Sequence, residues 1–185
     1  LYIHEQTIGV RPPGAAARWW LHQSLNALEV DLAALGIELQ VHQGDPNVIV
    51  VALANQENAS GVFWNRRYAA GERAVDTAIK EQLRAEGVAV ESFGANVLIE
   101  PWEIATGQGK PYSVFTPFWK TLKQRHIEQP MDSPPAGKAR SVRAVDDGYA
   151  EPHWAAKLSG HWYVGEKAAR RTLADFLDYR VGRYP

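Results

Sequence analysis

No cysteine occurs in the 185 residues, which excludes thiolate metal sites, disulfides and cysteine nucleophiles and makes a reducing compartment, the cytoplasm by default, the expectation. Charge of one sign is equally lacking. Twenty Lys and Arg stand against 21 Asp and Glu, so the chain has no overall pull toward nucleic acid or membrane, and any DNA contact must be local or elsewhere. No stretch approaches the roughly 20 apolar residues that span a bilayer, and Leu1-Tyr2-Ile3 has neither the charged start nor the apolar length of a signal peptide. The expectation is a soluble, unexported protein with no membrane partner. His4, His22, His42, His126, His153 and His161 show no i,i+4 pairing and no His-Glu-x-x-His pattern, so no metal site is expected. Neither Gly-x-Gly-x-x-Gly after a strand nor a phosphate-binding Gly-x-x-x-x-Gly-Lys-Ser/Thr occurs.

What is present suits one compact domain with a short appendage: 45% hydrophobic and 22% charged residues, enough to bury a core. Leu1 to Glu5 reads as an apolar strand tip running into polar residues, as if the chain began within a fold. After Arg11-Pro12-Pro13-Gly14, the residues Leu21, Leu25, Leu28, Leu32 and Leu35 recur at helical spacing and predict a core stripe on a helix that ends before Gly36. Ile37 to His42 alternates like a strand. Asp45-Pro46 then supplies an N-cap oxygen and a proline suited to the first turn of a helix running to about Asn58. Gly61 to Trp64 predicts a strand, Glu72 to Glu86 a helix with Val75, Ile79 and Leu83 inward, and Gly87 its left-handed stop. Val88 to Phe93 and Val97 to Ile99 are two further extended runs, and Gly107-Gln108-Gly109 is a polar turn leading to Tyr112 and Phe115.

Apolar strands alternating with helices predict an α/β fold: a doubly wound, mostly parallel, Rossmann-like sheet with helices on both faces. From about Gln129 to Gly160, Pro130, Pro134, Pro135 and Gly137 sit in a stretch of little periodicity that reads as a linker draped over a surface. At Gly165-Glu166 a new helix begins, with Ala169, Leu173, Phe176 and Leu177 apolar and no second helix of the chain expected to pack against it. The expected division is an α/β domain over 1–128, a linker over 129–164 and this helix over 165–185. The basic run Lys120, Lys123, Arg125, Lys138, Arg140 and Arg143 is interleaved with acids and reads as solvated surface. The seven tryptophans read as core and linker packing rather than as stacking platforms.

The segment Val62-Phe63-Trp64-Asn65-Arg66-Arg67-Tyr68, followed by Glu72, Asp76 and an amphipathic helix, resembles the antenna domain of DNA photolyases and cryptochromes. Trp19-Trp20-Leu21-His22-Gln23-Ser24-Leu25 resembles another helix of that family, and Gly87 to Pro101 its strand, Phe-x-x turn and Leu-x-Glu-Pro element. Tyr112 to Lys120, with Thr116-Pro117-Phe118, is similar to the segment that closes the antenna domain, and the helix from Gly165 to the first helix of the flavin-binding domain. These elements cover nearly the whole chain in family order.

The resemblance implies an antenna pigment, flavin adenine dinucleotide in the intact protein and damaged DNA as its partner, with light-dependent splitting of pyrimidine dimers as the activity. It equally admits a cryptochrome-type blue-light receptor, and a non-catalytic nucleotide-binding α/β module is the reading from a different class. It further implies a first strand, central in the sheet between the Leu1 and Gly61 strands, and a helical flavin domain that this sequence does not contain. Unpaired strand edges would then favour homo-oligomers. Glu72 matches a pterin-binding glutamate, although the same carboxylate suits the positive end of a helix dipole. Folate binders carry Asn before that Glu where this chain has Gly71, which leaves folate, deazaflavin and FMN open. Asn65 and Arg67 are further candidate pigment residues, with Asn65 equally suited to a turn. Arg66, Arg67 and Arg73 together could balance a phosphate or glutamate tail. Tyr184 matches a flavin-contacting tyrosine, meaningful only in the intact protein. No catalytic residue is implied.

Overall fold

The computed structural model describes residues 1–5, 11–127, 129 and 131–184. Pro130 and residue 128, at the expected domain boundary, lie outside them. Contacts divide the chain into two compact units, 1–45 with 133–185 and 46–132. Among the described residues, no helix is long and apolar enough to cross a membrane.

The second unit runs α2 (Pro46–Gln56), β3 (Gly61–Asn65), α3 (Ala70–Ala85), β4 (Ala89–Phe93) and α4 (Phe115–Leu122). Strands β3 and β4 pair in parallel, from Gly61 with Ala89 to Asn65 with Phe93. A parallel pair needs a crossover, which α3 supplies. On α3 the four-residue spacing of Val75, Ile79 and Leu83 makes one apolar line, and all three are buried against Val51 and Ala54 of α2, Val62, Trp64 and Val90 of the strands, and Val88 just before β4. Phe63 and Phe93 alternate to the other face of the ladder, where they stand exposed with ring centroids 6.2 Å apart. Gly87, at φ +79°, follows α3 as the expected left-handed stop.

The first unit runs β1 (Tyr2–Glu5), α1 (Ala15–Leu35), β2 (Val41–Gly44), α5 (Ala156–Ser159) and α6 (Glu166–Tyr179). Here β1 and β2 pair in parallel, from Tyr2 with Val41 to Glu5 with Gly44. The α/β architecture of parallel strands and helices is therefore the one the sequence predicted. Its ladder comes as two separate pairs, with no bridge between β1–β2 and β3–β4 among the described residues.

Several local expectations are corrected. The strand read from Ile37 forms only at Val41–Gly44, because the chain leaving α1 is occupied elsewhere: Ile37 N–H closes the helix on Leu32 O, and Ile37 O accepts from Arg140. Val97 to Ile99 is a series of bends, not a strand. The helix α4 was not legible, since its Phe, Thr and Trp suit strands equally well. Pro117 falls in its first turn, where a missing N–H costs nothing. The leucine stripe of α1 is only partly core: Leu25 is buried, whereas Leu28 is exposed, and the buried line is completed by Trp19, Glu29 and Ala33. Nor is α6 without a neighbour. It lies on α1, with Lys167 Nζ 2.5 Å from Asp31 Oδ1 and Gly165 pressed on Ala27. Of the tryptophans, Trp19 is buried, but Trp20, Trp102, Trp119 and Trp162 are each more than a third exposed.

The linker is a strap fastened to α1. Arg140 is not solvated surface: its guanidinium makes two parallel bonds to buried Glu29, at 2.6 and 2.7 Å, and Arg143 N–H adds a third at 2.9 Å. Gly137 N–H and Arg140 N–H cap the last carbonyls of α1, Leu35 O and Ala33 O, both at 3.0 Å. A Cβ on Gly137 would sit 2.8 Å from Leu35 O. Gly137→Ala is thus expected to destabilise the protein by about 1–3 kcal/mol, read as a lower urea midpoint; an unchanged midpoint would show that the strap can lift without loss.

Candidate functional site

The carboxyl ends of parallel strands, beside the start of the following helix, are where open α/β sheets hold ligands. At that edge of β3–β4 lies a cleft of about 470 Å³, within the usual range for small-molecule sites. One wall is a face of α3 carrying Arg73, Asp76, Thr77 and Lys80, which helical spacing places together. The opposite wall is the Arg66-Arg67-Tyr68 segment leaving β3, with Trp102.

Two buried carboxylates organise this cleft. Asp76 accepts from Trp64 Nε1 at 3.0 Å on one oxygen and from Arg67 Nε at 3.0 Å and Nη2 at 2.5 Å on the other. Glu100 accepts from Tyr68 OH at 2.8 Å and is ion-paired with Arg66, whose other arm donates to Ser92 O at 2.8 Å. Loss of solvent, then the hydrogen bond to Glu100, push the Tyr68 phenol above its ordinary value, so it stays protonated and donating. The Arg66 guanidinium lies 5.1 Å from the centroid of the Trp102 ring, which is otherwise open. Lys80 Nζ donates to Ser92 Oγ at 2.6 Å and sits 5.4 Å from the Trp64 ring.

Asn65 is the last residue of β3 and is exposed. Glu72 is the third residue of α3, where its carboxylate accepts from Ala69 N–H at 3.2 Å and closes half of a capping box. Both stand at the same edge, but only Arg67 of the three lines the cleft. Tyr184 belongs to the other unit, mostly exposed, its ring edge-on to Phe176 at 5.9 Å. Sequence reasoning missed Lys80, Tyr68, Glu100 and Trp102 as members of the site. A period-based signal existed for Lys80, seven residues after Arg73, but Glu100 and Trp102 are brought in only by the return of the chain after β4.

The sequence profile of the family described as DNA photolyase matches residues 1–136. The chain belongs to the DNA photolyase family. It is 37% identical to a deoxyribodipyrimidine photo-lyase of Agrobacterium fabrum over all of this chain and 40% of that protein. Arabidopsis thaliana cryptochrome-2 is 30% identical over 93% of this chain and 30% of its own length. Among solved structures, a bacterial class III photolyase from Agrobacterium tumefaciens superposes with a TM-score of 0.75 at 35% identity, covering 96% of this chain and 38% of that one. The chain thus spans two fifths or less of the length of these relatives.

Proposed function

We propose that this chain is the antenna-pigment-binding portion of a light-dependent deoxyribodipyrimidine photo-lyase, cytoplasmic, whose intact form also holds FAD and acts on pyrimidine dimers in damaged DNA. In this reading, residues 1–128 form the antenna domain, 129–164 the linker and 165–185 the first helix of the flavin domain, with Tyr184 directed to FAD only in the intact protein. The single observation that supports it most is the cationic, aromatic-walled cleft at the carboxyl edge of β3–β4. A planar anionic pigment, whether folate, deazaflavin or FMN, suits its rings and guanidinium groups. When bound, such a pigment absorbs near-ultraviolet or blue light and passes the excitation to flavin. The residues of this chain hold and orient it: Asn65 and Glu72 at the strand and helix ends, and Arg67, kept paired with Asp76, as a fixed part of the cleft wall.

The test is direct. Purified chain is titrated with each pigment and its near-ultraviolet and blue absorbance and fluorescence are followed, alongside Glu72→Ala. Binding of one pigment with roughly tenfold loss in the variant, the size of a charge-assisted hydrogen bond, supports the reading; equal affinity would make Glu72 a helix-capping carboxylate only. The similarity to cryptochrome-2 favours a second reading, a blue-light receptor. Light-dependent repair of a dimer-containing oligonucleotide by the full-length protein separates the two. The edges of β1–β2 and β3–β4, which carry no further strand among the described residues, also favour a homo-oligomer, checked by the sedimentation coefficient of the purified chain at rising concentration.

A further inference from the structure

We infer that the anionic end of the ligand in this cleft is held by Arg73 and Lys80, not by Arg66 and Arg67, and that the ligand is a planar aromatic molecule ending in a doubly negative group, a phosphate or a pair of carboxylates. The inference rests on the pigment-binding reading and goes further by assigning which cations answer the charge and how much charge they match.

Four cations line the cleft: Arg66, Arg67, Arg73 and Lys80. Two are already neutralised. Arg67 is committed to Asp76, and Arg66 to Glu100, to Ser92 O and to the face of Trp102. Turning either toward a ligand would strand a buried carboxylate, since Asp76 and Glu100 are each 8% exposed. Arg73 and Lys80 have no carboxylate within ion-pair distance among the described residues. The Arg73 side chain is exposed, and the bond to Ser92 Oγ leaves the Lys80 ammonium two further donors. Seven residues apart on α3, they lie on one face two turns from each other, with the Thr77 hydroxyl between them. The two uncompensated charges match a phosphate monoester or two carboxylates. Trp102 and Tyr68, with ring centroids 6.5 Å apart on the wall facing α3, offer the surface for the aromatic end.

The experiment compares ligands that share a ring and differ in the charge at the tail: FMN, a dianion, against neutral riboflavin, and folic acid, with two carboxylates, against pteroic acid, with one. The native chain is expected to bind the dianionic member of at least one pair about tenfold or more tightly, the preference shrinking as salt rises. Arg73→Ala with Lys80→Met is expected to abolish that preference while leaving the affinity for uncharged riboflavin, where it binds, unchanged. Arg73→Ala removes no buried partner, whereas Lys80→Met takes the donor from buried Ser92 Oγ, so a modest fall in thermal midpoint is expected; it is measured in parallel and binding is read well below it. Preference retained in the folded double variant overturns the assignment, as does equal affinity within both pairs; in either case the pigment reading survives. Failure of all four ligands to bind the native chain overturns both. The pair that shows the preference distinguishes phosphate from carboxylate.

Discussion

Glu29→Ala is expected to cost about 3–5 kcal/mol of stability, because it leaves the Arg140 guanidinium inside the strap without its partner. Glu29 is 3% exposed and carries three bonds, two from Arg140 and one from Arg143 N–H. The Arg140 hydrogen bonds, then the backbone bond from Arg143, hold its carboxyl at about 2 against an ordinary 4.5. A carboxyl depressed in the folded state stabilises it fully above the unfolded value. That contribution drains away as pH falls from about 4.5 toward about 2. Urea denaturation of the native protein between pH 6 and pH 3 should therefore show a falling midpoint, with the Glu29→Gln protein flatter across the same range. Parallel curves would mean that the strap is fastened by other contacts.

Asp76→Ala carries the second large effect, roughly 3 kcal/mol by the same loss of a buried partner. It sits below Glu29 because Asp76 is nearer solvent, its side chain 11% exposed against 3% for Glu29. Asp76 ties the strand residue Trp64 and the loop residue Arg67 to α3, so its loss acts on both packing and site. Tryptophan emission should shift as the Trp64 indole N–H loses its acceptor, and pigment affinity should fall although Asp76 need not touch the pigment. A variant unfolding within about 0.5 kcal/mol of the native protein, the range of an ordinary surface change, would show that Arg67 is placed by something else. Arg67→Ala is the companion: if Asp76 serves to position it, the double variant loses no more affinity than either single one.

How much of this was legible without coordinates follows from which contacts are local. The periods of Val75, Ile79 and Leu83, the Gly61 and Val88 strands and the Gly87 stop are set by residues within a turn or two of one another, and all three elements stand where they were read. The order of the family segments likewise needs only the chain, and it led to the photolyase family before any contact was known. Arg67 and Arg73 were legible as candidates by proximity to a strand end.

The amino-acid order alone thus determined the alternating α/β pattern, the family and the edge at which a ligand would be sought. Only tertiary structure decided which charges there are spent. Glu100 returns to Arg66 from 34 residues away and Arg140 to Glu29 from 111, and a run of basic residues looks the same whether each is solvated, paired or waiting for a ligand. Pairing is a long-range property, because burying a charge demands a partner that the neighbouring sequence does not have to supply. For the same reason the strap over α1 read as an unstructured linker: its order comes from carbonyls and a carboxylate on a helix a hundred residues before it, not from any period of its own.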